Sequence, residues 1–120
     1  MENTLEQLLV QHLNEIWNQR EETQRLTAIE SVYARDIELF EVGEQFSGYE
    51  AVNRKVSKTL NGLPAVFSIS QLKPIVINNN VGKLDWGVGP TGAPPVATGT
   101  DIVIFENGRI KSLYVFLNKE

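Results

Sequence analysis

Apolar residues recur at three- and four-residue steps through residues 4–19, where Leu5, Leu8, Leu9, Leu13, Ile16 and Trp17 share one face with His12. That spacing predicts an amphipathic helix, and Thr4 with Gln7 forms a capping-box pair at its start. Glu21, Glu22 and Thr23 interrupt the pattern before Leu26, Ile29, Val32 and Tyr33 predict a second helix over 22–34. Ile37, Leu39 and Glu41 then alternate within Asp36–Val42, as on one face of a strand. Gly43 and Gly48 bracket a short hairpin-like piece, Glu44–Ser47. Val52, Val56 and Leu60 mark a third helix over Tyr49–Leu60, which Gly62 and Pro64 end. From there the chain reads as strands: Val66–Asn78, Gly82–Gly89, Val96–Phe105 and Arg109–Leu117. Asn78-Asn79-Asn80 and Asn107-Gly108 supply turn chemistry between them, and Pro90–Pro95 is a Gly/Pro loop.

The order helix, helix, strand, helix and then four strands predicts one α+β domain over 1–120, with helices on one face of an antiparallel sheet. The late strands are apolar on both faces: Ile102 to Phe105 has no polar residue, and Tyr114 and Phe116 alternate with Leu113, Val115 and Leu117. A sheet with one solvated face would alternate with polar residues. One face is therefore expected to cover the helices and a pocket, and the other to meet a second copy, giving a homodimer.

Composition narrows the function classes. The 120 residues hold no cysteine and one histidine, so disulfides, thiolate metal sites and a His-rich metal centre are excluded. The net charge of −4 argues against nucleic acid as a partner. No apolar run is long enough to span a bilayer, and the start Met1-Glu2-Asn3-Thr4 lacks signal-peptide regions, so a cytoplasmic protein without membrane partners is expected. No phosphate loop, zinc ligand set or nucleophile elbow occurs, and the glycine-rich run Gly87 to Gly92 leads to Pro94-Pro95 rather than to a helix. No cofactor is expected.

The chemistry-bearing feature is Asp101, the one carboxylate in the apolar run Gly99-Thr100-Asp101-Ile102-Val103-Ile104-Phe105. A buried Asp must be paired, hydrogen-bonded or protonated. Strand alternation puts Gly99, Asp101, Val103 and Phe105 on one face, taken as the pocket side. Leu84, Trp86 and Val88 likewise alternate with Lys83, Asp85 and Gly87, so Asp85 is expected to point away from Trp86. His12 lies on an apolar helix face and is either an acid/base partner of Asp101 or a satisfied core residue. Glu41 is either a base at the pocket or a solvated strand-end acid. Asp36 reads as a turn or cap residue, and Arg109 as the surface residue of a hairpin.

The ordered set Trp17-Asn18, Tyr33-Ala34-Arg35-Asp36, Gly48, Trp86, Gly99-Thr100-Asp101 and Gly108-Arg109-Ile110 resembles the nuclear transport factor 2-like superfamily, in its SnoaL-like polyketide cyclase and ketosteroid isomerase branch. The resemblance covers nearly the whole chain. It implies a cystatin-like cone, a curved antiparallel sheet wrapped around N-terminal helices with a deep apolar pocket at the open end. In ketosteroid isomerases a carboxylate after the first strand is the general base, and Glu41 falls on that place. A second acid, kept protonated, donates to the developing oxyanion, and Asp101 falls there. A Tyr in the first helix completes that set. Trp17 stands in its place, with an N–H donor but no phenol; in SnoaL-like relatives a Trp there lines the pocket. An epoxide hydrolase would need Asp-Arg-Asp about a water, and Arg35, Arg54 and Arg109 are not placed with acids on a pocket strand.

The resemblance and the residues together lead to the expectation of a pocket for a small hydrophobic ligand bearing a carbonyl or hydroxyl. Asp101, His12 and Glu41 are the candidate acid/base residues. Trp17, Tyr33, Phe67, Leu84, Trp86, Val88, Val103 and Leu113 are the candidate pocket wall. The reaction class would be a cofactor-free isomerisation or cyclisation. The alternative is a non-catalytic ligand-binding or dimerisation module of the same fold.

Overall fold

The architecture follows from how the strands pair. A computed structural model describes residues 4–118; the reading of Met1 to Asn3 as lacking a signal peptide lies outside them. Helix α1 (Leu5–Gln11) continues as a π-helical segment (His12–Trp17). Helix α2 (Glu22–Val32) and strands β1 (Tyr33–Glu41) and β2 (Glu44–Ser47) follow, then helix α3 (Gly48–Asn61). The remainder is β3 (Phe67–Gln71), β4 (Val76–Asn78), β5 (Val81–Pro90), β6 (Ala97–Glu106) and β7 (Arg109–Leu117). The strands form one curved, unclosed sheet in the order β2-β1-β7-β6-β5-β3, with β4 also pairing β5. All pairings are antiparallel except β1 with β7, which is parallel. Among the described residues no helix is long and apolar enough to cross a membrane.

Three boundaries differ from the sequence expectation. The first helix is not α-helical throughout, because i→i+5 bonding takes over at His12. Tyr33 is not the last residue of α2; its extended backbone (φ −96°, ψ 145°) opens β1. The expected strand Val66–Asn78 is two strands: Gln71 pairs with Trp86 and Val76 with Lys83, so the intervening residues bulge out of the ladder at Pro74, which has no N–H to give it. Asp36 is also corrected from turn or cap to an exposed residue within β1, where its carboxylate lies 3.4 Å from Lys111 Nζ. The expected Asn107-Gly108 turn is present, with positive φ at both residues (53° and 76°), the conformation that joins two antiparallel strands through a two-residue loop.

The helices pack into the concave side of the sheet. Leu9, Ile16, Ile29, Val32, Ile37, Leu39, Val56 and Leu113 are among the buried residues of one apolar cluster there. Two polar contacts lock the helices in place. The Asn18 side-chain amide donates to the Ile69 carbonyl at 2.7 Å and accepts from the Ile69 N–H at 2.8 Å, which fastens the end of the π-helical segment to β3. Arg25, buried on α2, donates to Asn53 Oδ1 at 2.8 Å, to the Gln19 carbonyl at 2.7 Å and to Ser57 Oγ. Desolvation lowers its pKa, with Glu22 and Glu21 opposing that shift. A guanidinium so fully used ties α2 to α3.

Candidate active site

The π-helical segment decides where the first two functional side chains point. His12 and Trp17 are five residues apart, about one π turn, whereas in an α-helix that spacing would splay them. Both reach the Tyr33 phenol: Trp17 Nε1 donates to Tyr33 Oη at 3.0 Å, and His12 Nδ1 lies 2.6 Å from the same oxygen. The other ring nitrogen, His12 Nε2, lies 2.8 Å from Asp101 Oδ2. Trp86 Nε1 donates to Asp101 Oδ1 at 2.9 Å. The five side chains form one continuous path from α1 through β1 and back across β6 to β5.

The positions of the hydrogens follow from counting. An indole N–H only donates, so Trp17 fixes Tyr33 Oη as an acceptor. Tyr33 is fully buried, and among the described residues its own O–H has His12 Nδ1 as its acceptor. Nδ1 is therefore bare, Nε2 carries the imidazole proton, and Nε2–H donates to Asp101. Asp101 then accepts one hydrogen bond at each oxygen, from Nε2–H and from the Trp86 N–H. An Asp101 that donated to Nε2, or a doubly protonated His12, would put a proton on Nδ1 and leave the Tyr33 hydroxyl hydrogen without an acceptor, at a cost of about 1–3 kcal/mol. Burial pushes the Tyr33 phenol well above its ordinary value of 10.0; the Trp17 hydrogen bond opposes the shift and the Asp101 charge adds to it.

Asp101 faces a cavity of about 270 Å³. Trp17, Trp86, Ile69, Val88 and Val115 give it an apolar wall, completed by Leu63 and by Leu117, which is 61% exposed and marks the mouth. Its polar lining is Asp101 at the buried end, with Glu41, Lys55 and Thr59. Lys55 Nζ is 2.8 Å from Glu41 Oε1 and 3.8 Å from Glu44 Oε2, and sits 5.7 Å from the centre of the Phe46 ring. Among the described residues no group of three or more His, Asp or Glu is arranged to hold a metal ion.

Of the residues singled out from the sequence, Asp101, Glu41, Trp17, Trp86 and Val88 line this cavity. The rest are corrected. Tyr33, Leu84, Val103 and Leu113 belong to the closed core, where their strand faces meet the helices below the cavity floor. Phe67 shares a face with Ile69 but, at the start of β3, lies outside the lining. His12 is fully buried behind Asp101 and does not reach the cavity. Asp85 points away from Trp86, as expected, and accepts from Thr100 Oγ1 at 2.7 Å.

Lys55, Thr59, Leu63, Ile69, Val115 and Leu117 were not anticipated as lining. The available signal was on α3, where Lys55 and Thr59 follow Val52 and Val56 by three residues and so flank the apolar stripe. Gly99 was quoted in a motif, but its packing role was not. It pairs across the sheet with Trp86, and a Cβ there would collide with the indole and lie 2.7 Å from the Phe116 carbonyl oxygen. Only glycine lets Trp86 lie over β6 and reach Asp101 two residues along.

Comparison with known proteins places this geometry in a familiar fold. No family model matches the sequence. No curated protein matches it either. Solved structures do. A protein assigned as an isomerase of the SnoaL-like family from Agrobacterium tumefaciens superposes with a TM-score of 0.85 at 18% identity, over 94% of this chain and 96% of that one. A protein assigned as a SnoaL-like polyketide cyclase from Jannaschia superposes with a TM-score of 0.75 at 8% identity, over 98% and 91%. A de novo designed protein with a curved β-sheet does so at 0.70 and 15%, over 97% and 88%. The chain thus has the α+β cone of nuclear transport factor 2-like proteins, and the designed neighbour underlines that the fold by itself names no activity.

Replacing Tyr33 with Phe should strand the Trp17 N–H and His12 Nδ1 and destabilise the protein by about 1–3 kcal/mol at neutral pH. The raised Tyr33 pKa also carries a sign. Unfolded chains release this proton near the ordinary value and the folded protein does not, so its stabilising contribution is complete below about pH 10 and is lost as the pH climbs above it. Urea unfolding across that range should show a shallower alkaline loss in Tyr33→Phe than in the wild type.

Proposed function

We propose that the cavity binds a small, largely apolar ligand carrying a carbonyl, and that Asp101 moves a proton on the carbon next to that carbonyl. The observation that carries this reading is a carboxylate at the buried end of an apolar cavity, with both oxygens held from behind by groups that only donate to it. Such a carboxylate is held in a fixed position at the cavity wall, as a general base must be. His12 holds and orients Asp101 without touching the ligand. Neighbouring folds assigned as an isomerase and a polyketide cyclase are consistent with proton-transfer chemistry of this kind.

The chemistry differs from that implied by the resemblance. There the acid in the penultimate strand is protonated and donates to an oxyanion. In the proposed reading both partners of Asp101 donate to it, as partners of a carboxylate do, and it serves as base. A non-catalytic binding module of the same fold remains the competing reading, and one probe separates the two. In D2O the α-protons of β-tetralone, a bicyclic ketone, should exchange faster with the protein than without it, by proton NMR. Asp101→Asn should lower that catalysed rate by about 10²–10⁴-fold. Saturable binding of the ketone with no catalysed exchange would identify a binding module instead.

The homodimer is proposed on the outer face of the sheet. Phe40 of β1 stacks on Tyr114 of β7 with ring centres 4.6 Å apart, Tyr114 pairs with Ile102 of β6, and Phe116, 49% exposed, lies beside them. Sedimentation equilibrium should give twice the chain mass, and Tyr114→Lys should return the monomer; a monomeric wild type would contradict it.

A further inference from the structure

We infer that Lys55 is a second catalytic residue, which stabilises the negative charge on the ligand oxygen after it leaves Asp101. This rests on the reading of Asp101 as a base. It begins from an inventory of hydrogen-bond donors. Four lining side chains carry N–H or O–H groups: Trp17, Trp86, Thr59 and Lys55. The Trp17 N–H is used by Tyr33, the Trp86 N–H by Asp101, and the Thr59 hydroxyl donates to the Lys55 carbonyl at 3.0 Å. Lys55 has three N–H groups and one partner at hydrogen-bond distance, Glu41; the Glu44 oxygen, at 3.8 Å, lies beyond it. Lys55 is thus the side chain in the lining with hydrogens to spare, and a ligand carbonyl oxygen has it as its donor.

The charge movement fits this placement. When Asp101 takes the α-proton, the C–H electron pair becomes the new C=C bond and the carbonyl π pair moves onto oxygen. The negative charge leaves the carboxylate and appears on the enolate oxygen. An ammonium in the wall of the same cavity, paired with Glu41 and not with Asp101, stabilises charge on the ligand oxygen rather than on the carboxylate. Return of a proton or deuteron from Asp101 to carbon closes the cycle, and its return to a different carbon is an isomerisation. Glu41, on the position the resemblance implies for a base, is an anchor instead: it holds the ammonium in the cavity wall.

The test uses β-tetralone labelled with carbon-13 at the carbonyl, bound to the wild type and to four variants, and reads both its infrared carbonyl stretch and its α-proton exchange. The stretch should be shifted to lower frequency in the wild type and in Asp101→Asn, and should return toward the unbound apolar-solvent value in Lys55→Met. Exchange in Lys55→Met should fall by about 10²–10³-fold. Glu41→Gln/Lys55→Met removes the ion pair as a unit, guards against an unpaired Glu41, and should behave as Lys55→Met does. Glu41→Gln alone should keep the shifted stretch and lose far less exchange than Lys55→Met. An unchanged stretch and rate in both Lys55 variants overturns the role of Lys55. Exchange abolished in Glu41→Gln overturns it too, making Glu41 the base. Exchange insensitive to Asp101→Asn defeats the acid–base reading while the stretch still reports on Lys55, and absence of saturable ketone binding defeats both.

Discussion

One indole N–H sets the polarity of the whole site. Trp17 gives a hydrogen bond and cannot take one, so the Tyr33 oxygen it meets must pass its own hydrogen onward, and the next acceptor is His12 Nδ1. Each later position follows: a proton on Nε2, its donation to one Asp101 oxygen, and the Trp86 N–H on the other. A tyrosine or serine at position 17 would leave the direction free, since a hydroxyl both donates and accepts. The fold supports this chain at every link. The π-helical segment converges His12 and Trp17, Asn18 pins that segment to β3, and Gly99 leaves room for Trp86 to lie across β6.

The cavity in front of that chain has two poles. Asp101 closes the buried end with acceptor capacity, and Lys55 supplies donor capacity from α3. Between them the wall is aliphatic and indole, so little screens a charge that moves from one pole to the other. In the proposed arrangement neither acid keeps the part that the family resemblance assigns it: Glu41 is the companion of a lysine, and Asp101 the proton acceptor. The cause lies in the helix. With Trp17 in place of a phenol, no hydroxyl from the first helix reaches the cavity, and the donor comes from α3 instead.

Much of the architecture was legible from the sequence because it rests on periodicity. The α3 stripe, the alternation on β5 and β6, and the Asn107-Gly108 turn each carry a local signal, and all three stand where expected. The π-helical segment carries no such signal, since its apolar pattern also fits an α-helix. The break at Pro74 was visible as a proline but was overridden by the apolar residues around it. In the site, Asp101 stood out as a lone acid in an apolar strand. Lys55 did not, because a lysine beside an apolar stripe usually reaches solvent, and only its pairing with Glu41 and Glu44 draws it in. Tyr33, Leu84, Val103 and Leu113 were read as pocket wall because strand alternation gives the inward face, without saying how much of that face the helices cover.

The direct measurement is the tautomer of His12, the single histidine of the chain, by nitrogen-15 and carbon-13 NMR of the imidazole. At neutral pH the proton should sit on Nε2, with Nδ1 bare and hydrogen-bonded to a phenol, and that state should disappear in Trp17→Phe or Tyr33→Phe. A proton on Nδ1 with Nε2 bare would reverse the hydrogen-bond chain, and with it the role of Asp101 as the acceptor.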